Sequence, residues 1–233
     1  LQTSALHGFD GDADILRMAA MNAVLHGFDA SPIVRRDSIC GSEDRWDEVQ
    51  FDVILENPPF SGARTDTKSS LRIEKGDKYV LFLAHALRSL RRGGRAGIVF
   101  PNGILFGDTG SHIEVKKRLL GQFDLQAVVT LPKGMFEPYT PNPTCFFVFK
   151  NTGKPTESVW FYRVEGDGST LTKARKFGPQ YRNDFPDLLA KWPARVEEPG
   201  RAWCVPAQRI RDKNYNMTLS GLGLIEPEKT EHD

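Results

Sequence analysis

The stretch F-D-V-I-L-E-N-P-P-F, residues 51–60, constrains the fold of this chain more than any other. Residues 51–55 form a compact, mostly apolar run of the kind that a central parallel strand, covered on both faces, displays. The run stops at Asn57-Pro58-Pro59-Phe60. Two consecutive prolines lack the N–H groups a ladder needs, so the chain must leave the sheet there. A loop opens at the C-terminal end of the strand, which is where open α/β sheets hold their ligands.

The flanking segments alternate to match. Residues 5–9 read as a short strand ending in Asp10. Residues 13–25 read as a helix with Leu16, Ala20 and Ala23 on one face and Gly27 as its stop, and residues 33–34 as a second short strand leading to Asp37. Residues 61–78 make a polar loop, and residues 79–90 have helical spacing that ends at Gly93-Gly94. A strand at 96–100, a helix near 113–120, a strand at 125–131 and a strand at 145–150 follow, the last reached through a proline-rich turn. This order predicts a doubly wound α/β fold with an open, mostly parallel, Rossmann-like sheet. Strands 125–131 and 145–150 have no helix between them and should form an antiparallel hairpin at one edge. Residues 1–150 then make the main domain. Residues 151–233 form a C-terminal appendage with a strand near 159–164, a short helix at 185–192 and a charged, apolar-poor tail.

With 233 residues, 39% of them hydrophobic, the chain can bury a sizeable core. No apolar run approaches the ~20 residues a membrane helix needs, so the expectation is a soluble, cytoplasmic protein with no membrane partner. Cys40, Cys145 and Cys204 are scattered and show neither disulfide nor zinc-ligand spacing, so no metal is expected. A net charge of +1 provides no large basic excess. Affinity for DNA would have to be local or shared with partners. The basic clusters Arg88-Arg91-Arg92-Arg95, Lys116-Lys117-Arg118 and Lys173-Arg175-Lys176 read first as solvated helix ends and loops.

Average residue usage produces an Asn-Pro-Pro-Phe match only a few times per roughly a thousand chains of this length. A proline-rich turn would explain the prolines but not Asn57 before them or an aromatic after them. The chemistry that needs all four is methylation of an amino group conjugated to a ring. Its lone pair is delocalised, so the nitrogen is a poor nucleophile until acceptors hold its hydrogens. Asn57 supplies a side-chain carbonyl, and the peptide carbonyl of Pro58 a second acceptor made rigid by Pro59. Phe60 offers a face on which an extruded base stacks. Attack on a methyl sulfonium then needs positioning more than a strong base. Covalent cysteine catalysis does not fit, because none of the cysteines follows a proline. His26 and His85 fall within helical patterns and are given no role.

Asn57 and three aspartates are candidates for holding the cofactor. Asp10, at a strand end, is placed to accept from ribose hydroxyls. Asp12 either contributes there or caps the following helix. Asp37 either accepts from an adenine amino group or closes a turn.

At this point the blocks taken together resemble a known family. Gly8-Phe9-Asp10-Gly11-Asp12, Leu16-Arg17-Met18, Asp37-Ser38, residues 51–60, Gly93-Gly94-Arg95-Ala96, Pro101-Asn102-Gly103 and Leu131-Pro132-Lys133-Gly134-Met135-Phe136 occur in the order found in the modification subunit of type I restriction enzymes, which are N6-adenine DNA methyltransferases. The resemblance implies S-adenosylmethionine as methyl donor, adenine in DNA as target, and specificity and restriction subunits as partners. It implies that Phe136 is a second aromatic, which with Phe60 sandwiches the extruded base. It also implies a helical domain and a first strand with a glycine-rich turn that these residues do not include. That strand would lie beside residues 51–55, and its absence would leave two apolar strand edges open. Two other readings share parts of this pattern: a methylase of another conjugated amine, such as a protein glutamine amide or the cytosine amino group, and a methyltransferase-like module that docks a specificity subunit without catalysis. A nicotinamide-dependent oxidoreductase fits less well, since no glycine fingerprint follows a strand.

Overall fold

The computed structural model describes residues 6–28, 32–40, 44–60, 65–67, 71–73 and 75–226. The expected strand at 5–9 lies partly outside them, and the expected charged tail almost wholly so. Ten strands and six α-helices follow one another within the described residues. They are β1 (Gly8–Asp10), α1 (Ala13–Leu25), β2 (Ile33–Arg35), β3 (Phe51–Glu56), β4 (Thr65–Asp66), β5 (Lys75–Gly76), α2 (Lys78–Ser89), β6 (Leu90–Pro101), α3 (Gly103–Phe106), α4 (Gly110–Gln122), β7 (Asp124–Leu131), β8 (Thr144–Lys150), β9 (Ser158–Arg163), α5 (Phe185–Lys191), β10 (Ala202–Pro206) and α6 (Ala207–Asp212).

The main sheet has six strands in the order β10-β9-β7-β8-β6-β3. It is a mixed sheet rather than a mostly parallel one: β3–β6 and β7–β9 pair in parallel, while β6–β8, β7–β8 and β9–β10 are antiparallel. The expected hairpin exists as β7–β8, but it does not form an edge. β8 is inserted between β6 and β7, and β9 and β10, both from beyond Asn151, continue the sheet past β7. The V-W-F-Y run of β9 is apolar on both faces and buried on both, as suits an interior strand.

Alternation along the strands separates two cores. Phe147 and Phe149 of β8, Leu125 and Val128 of β7 and Phe161 of β9 face α2 and α4, whose Leu83, Ala84, Leu87, Val115 and Leu119 complete the larger core. Ala127, Val129, Trp160 and Tyr162 point to the opposite face, against Met135, Leu188 and Trp192. A register shift between Leu125 and Ala127 puts these two residues of β7, two positions apart, into different cores. Gly93-Gly94 does not end a helix. α2 stops at Ser89, and the two glycines lie in a bulge inside β6, where Gly93 has φ +82° and its N–H donates to Asn151 O at 2.7 Å.

β3 was expected in the centre of the sheet and instead forms its edge among the described residues. β1 and β2 form a separate parallel pair. No ladder joins β1 to β3. Side chains bridge them instead: Phe9 packs edge-on against Trp46 and Phe51, with ring centroids 5.2 and 6.2 Å apart, and His7 lies 5.8 Å from Phe51. A slot of about 190 Å³ lies between the two strands, lined by Gly8, Phe9, Val53, Leu55 and Glu56. Leu55 is 81% exposed there. No α-helix among the described residues is long and apolar enough to cross a membrane.

Candidate active site

β3 brings its C-terminal end to a cavity of about 610 Å³, the size of a small-molecule site. Asp10 from β1, Arg36 and Asp37 from the loop after β2, and Glu56, Asn57, Pro58 and Pro59 all line it. The apolar strand followed by two prolines therefore does locally what its sequence dictates. β3 is held by β6 as far as Glu56, paired with Ile98, and the chain then leaves the sheet with Pro58 buried and Asn57 exposed. Among the described residues the Asn57 carboxamide, which is exposed, has no hydrogen-bond partner.

The three aspartates divide. Asp10 Oδ1 accepts from Asp12 N at 2.8 Å. Asp37 Oδ1 accepts from Ile39 N and Cys40 N at 3.0 and 2.8 Å, so it closes a turn and lines the cavity at once. In both residues Oδ2 is left to accept from a ligand. Asp12 does not line the cavity. It is the N-cap of α1, its Oδ1 accepting from Asp14 N and Ile15 N at 2.7 and 3.3 Å. The capping reading replaces direct contact for this residue, and its backbone N–H orients Asp10 instead.

Phe60 and Phe136 meet, although 76 positions separate them. Their rings lie edge to face, 5.6 Å between centroids at 88°. A base stacked between two rings needs them near parallel and about 7 Å apart, so these two touch each other in this state and must part before a base can be sandwiched. Phe136 sits on a tight turn after β7. Gly134 in that turn has φ +86°, and a Cβ there would meet Leu171 O at 2.1 Å.

Several residues that build the site gave no sequence signal. Arg175 was read as part of a solvated basic cluster. It is half-buried, pairs with Asp167, and donates to Met135 O at 2.6 Å, fixing the turn that carries Phe136. Its partners lie 8 and 40 residues away, beyond any local pattern. Arg36 is buried between Asp44 and Asp47, at 3.0 and 2.7 Å, and stacks 5.0 Å from the Phe9 ring. Its neighbours Arg35 and Asp37 masked it as one charge among several. Glu56 was visible in principle, as an acid closing an otherwise apolar strand. Burial pushes its carboxyl up to about 8.

The mixed α/β sheet, with a strand-end amide, two prolines and two aspartates around one cavity, defines a class: an α/β fold of the methyltransferase kind. The family model for N-6 DNA Methylase matches residues 1–233, and the chain belongs to that family. It is 32% identical over 213 residues to the type I restriction enzyme EcoEI methylase subunit of Escherichia coli, covering 87% of this chain and 42% of that protein. Among solved structures, a modification subunit of a putative type I restriction enzyme from Vibrio vulnificus YJ016 is 30% identical with a TM-score of 0.70, covering 88% of this chain and 44% of that one. A chain from a structural study of type I R-M complex assembly and conformational transition is 27% identical with a TM-score of 0.77, covering 97% of this chain and 48% of that one. The chain thus spans somewhat under half the length of these relatives.

Proposed function

We propose that this chain is the catalytic core of a type I modification subunit, transferring methyl from S-adenosylmethionine to the N6 amino group of adenine in DNA alongside a specificity and a restriction subunit. The observation that carries this reading is Asn57: an unpartnered carboxamide at the end of β3, beside Pro58 and on the rim of a cavity that also holds Asp10 and Asp37. The cavity fits the donor by size and by its donor set, since Asp10 and Asp37 each keep one free carboxylate oxygen for ribose hydroxyls or an adenine amine. When bound, S-adenosylmethionine supplies an electrophilic methyl group. The protein's own part is positional. Asn57 Oδ1 and Pro58 O accept from the two amine hydrogens, which localises the nitrogen lone pair, and Phe60 and Phe136 part to stack the extruded base.

The test is transfer of labelled methyl to DNA by the complete gene product with its specificity subunit. Asn57→Ala should lower transfer by roughly 10²–10³-fold, as loss of one preorganised polar contact does, with donor binding unchanged. Unaltered transfer in the variant would remove Asn57 from the active site. No transfer by the wild type would favour a docking module without catalysis.

A further inference from the structure

Glu56 stands where two cavities meet. It lines the 610 Å³ donor cavity and the 190 Å³ slot between β1 and β3. Its Oε2 is buried with no hydrogen-bond partner among the described residues. An orphaned buried carboxyl oxygen costs stability unless something else uses it. Burial raises its proton affinity, and at about 8 the acid is mostly neutral at pH 7.

The charged and titratable groups lining the two cavities beside Glu56 are Asp10 on β1, Arg36, Asp37 and Cys40 after β2, Lys78 and His85 on α2, and His7 before β1; Asp52, the other acid of β3, lines neither. Arg36 is committed to Asp44 and Asp47, and Asp52 to Arg91 at 2.8 Å. No described cation forms an ion pair with Glu56. The carboxyl therefore has the form of an acid held neutral until a cation arrives.

The position of that cation follows from Asn57. The methyl group must face the amine that Asn57 and Pro58 hold, so the sulfur carrying it lies close to the end of β3. Glu56 is the preceding residue, one Cα step of about 3.8 Å away. Before transfer the sulfur bears a positive charge, and after transfer it bears none. We propose that Glu56 selects the methylated donor over the demethylated product, its carboxylate forming as S-adenosylmethionine binds and holding the sulfonium charge. Binding then releases the Glu56 proton to solvent, and the neutral thioether of the product gives no reason to release it. This inference rests on the donor-cavity reading above.

Calorimetric titration of the complete gene product with S-adenosylmethionine and with S-adenosylhomocysteine tests it. Wild type and Glu56→Gln are compared between pH 6 and 8 in two buffers of different protonation enthalpy. Wild type should bind the donor up to about tenfold more tightly per pH unit as pH rises toward 8, and release close to one proton at pH 6.5. The product should show neither effect. Glu56→Gln should bind the donor without that pH rise and lose about tenfold of the donor-over-product preference. The ammonium of the ligand titrates alike with both proteins, so their difference isolates Glu56. The proton count at pH 6.5, below the ammonium range, stands on wild type alone. Proton release shared equally with the product, a wild type with none, or a folded Gln variant matching wild type overturns the proposal. A wild type that binds neither ligand overturns the donor-cavity reading as well.

Discussion

Lys116 shows what a single charge costs when a fold encloses it. Its side chain is fully buried in α4, and Nζ donates to Gly107 O and Tyr215 O at 2.8 and 2.9 Å, tying the chain after β6 to the C-terminal segment. Burial lowers its pKa to about 8, with Asp108 opposing. The unfolded chain therefore holds this proton more firmly than the folded one, and stability from this group rises with pH between about 8 and 10.5. Denaturant titrations at pH 7 and 9.5 should show wild type gaining on Lys116→Met by up to ~2 kcal/mol over that interval. An unchanged gap would mean that Nζ is not desolvated. None of this was legible beforehand: Lys116-Lys117-Arg118 read as a solvated cluster, because three adjacent cations do not reveal which one a helix turns inward. The motif residues were legible, because their chemistry is local. Asn57, Pro58 and Phe60 are neighbours in sequence, Asp10 ends β1, and Asp37 lies two residues beyond β2.

Elements held up where their signals were strong. α1 matches residues 13–25, with its Asp12 cap and Gly27 at φ +81°, because cap, period and stop all agree. The sheet order was not legible, since β8 and β9 differ in direction and place but not in local pattern. The turn carrying Phe136 makes the element-scale case for a test. Gly134→Ala would force a Cβ into Leu171 O at a positive φ, and the strain, more than about 1 kcal/mol, should displace Phe136. Fluorescence of 2-aminopurine at the target base should report weakened stacking, with donor affinity intact. Arg175→Met should act in the same direction by freeing Met135 O. If both variants stack the base as wild type does, Phe136 does not touch it.

On the scale of the molecule, α1 in the separate β1–β2 unit presents an exposed apolar face. Met18, Met21, Val24 and Leu25 of α1 are 54–83% exposed, and Leu55 of β3 is 81% exposed across the slot. Patches of this kind mark contact surfaces or drive association. The 233-residue polypeptide should self-associate in light scattering, and Met21→Lys with Leu25→Lys should reduce this while shifting stability by no more than about 0.5 kcal/mol. Equal association in the double variant would place the sticky surface elsewhere. The aromatic bridge of Phe9, Trp46 and Phe51 was not legible in the sequence, because it joins residues that share no element. The ring pair proposed to stack the base, Phe60 and Phe136, is likewise assembled from distant parts of the chain, and it sets a time scale. An edge-to-face contact is worth about 0.5–1.5 kcal/mol, at most roughly a tenfold bias toward the shut arrangement. Side chains cross such a bias far faster than the milliseconds of a collective motion. In the proposed methyl transfer, parting of Phe60 and Phe136 is then too quick to set the pace of turnover.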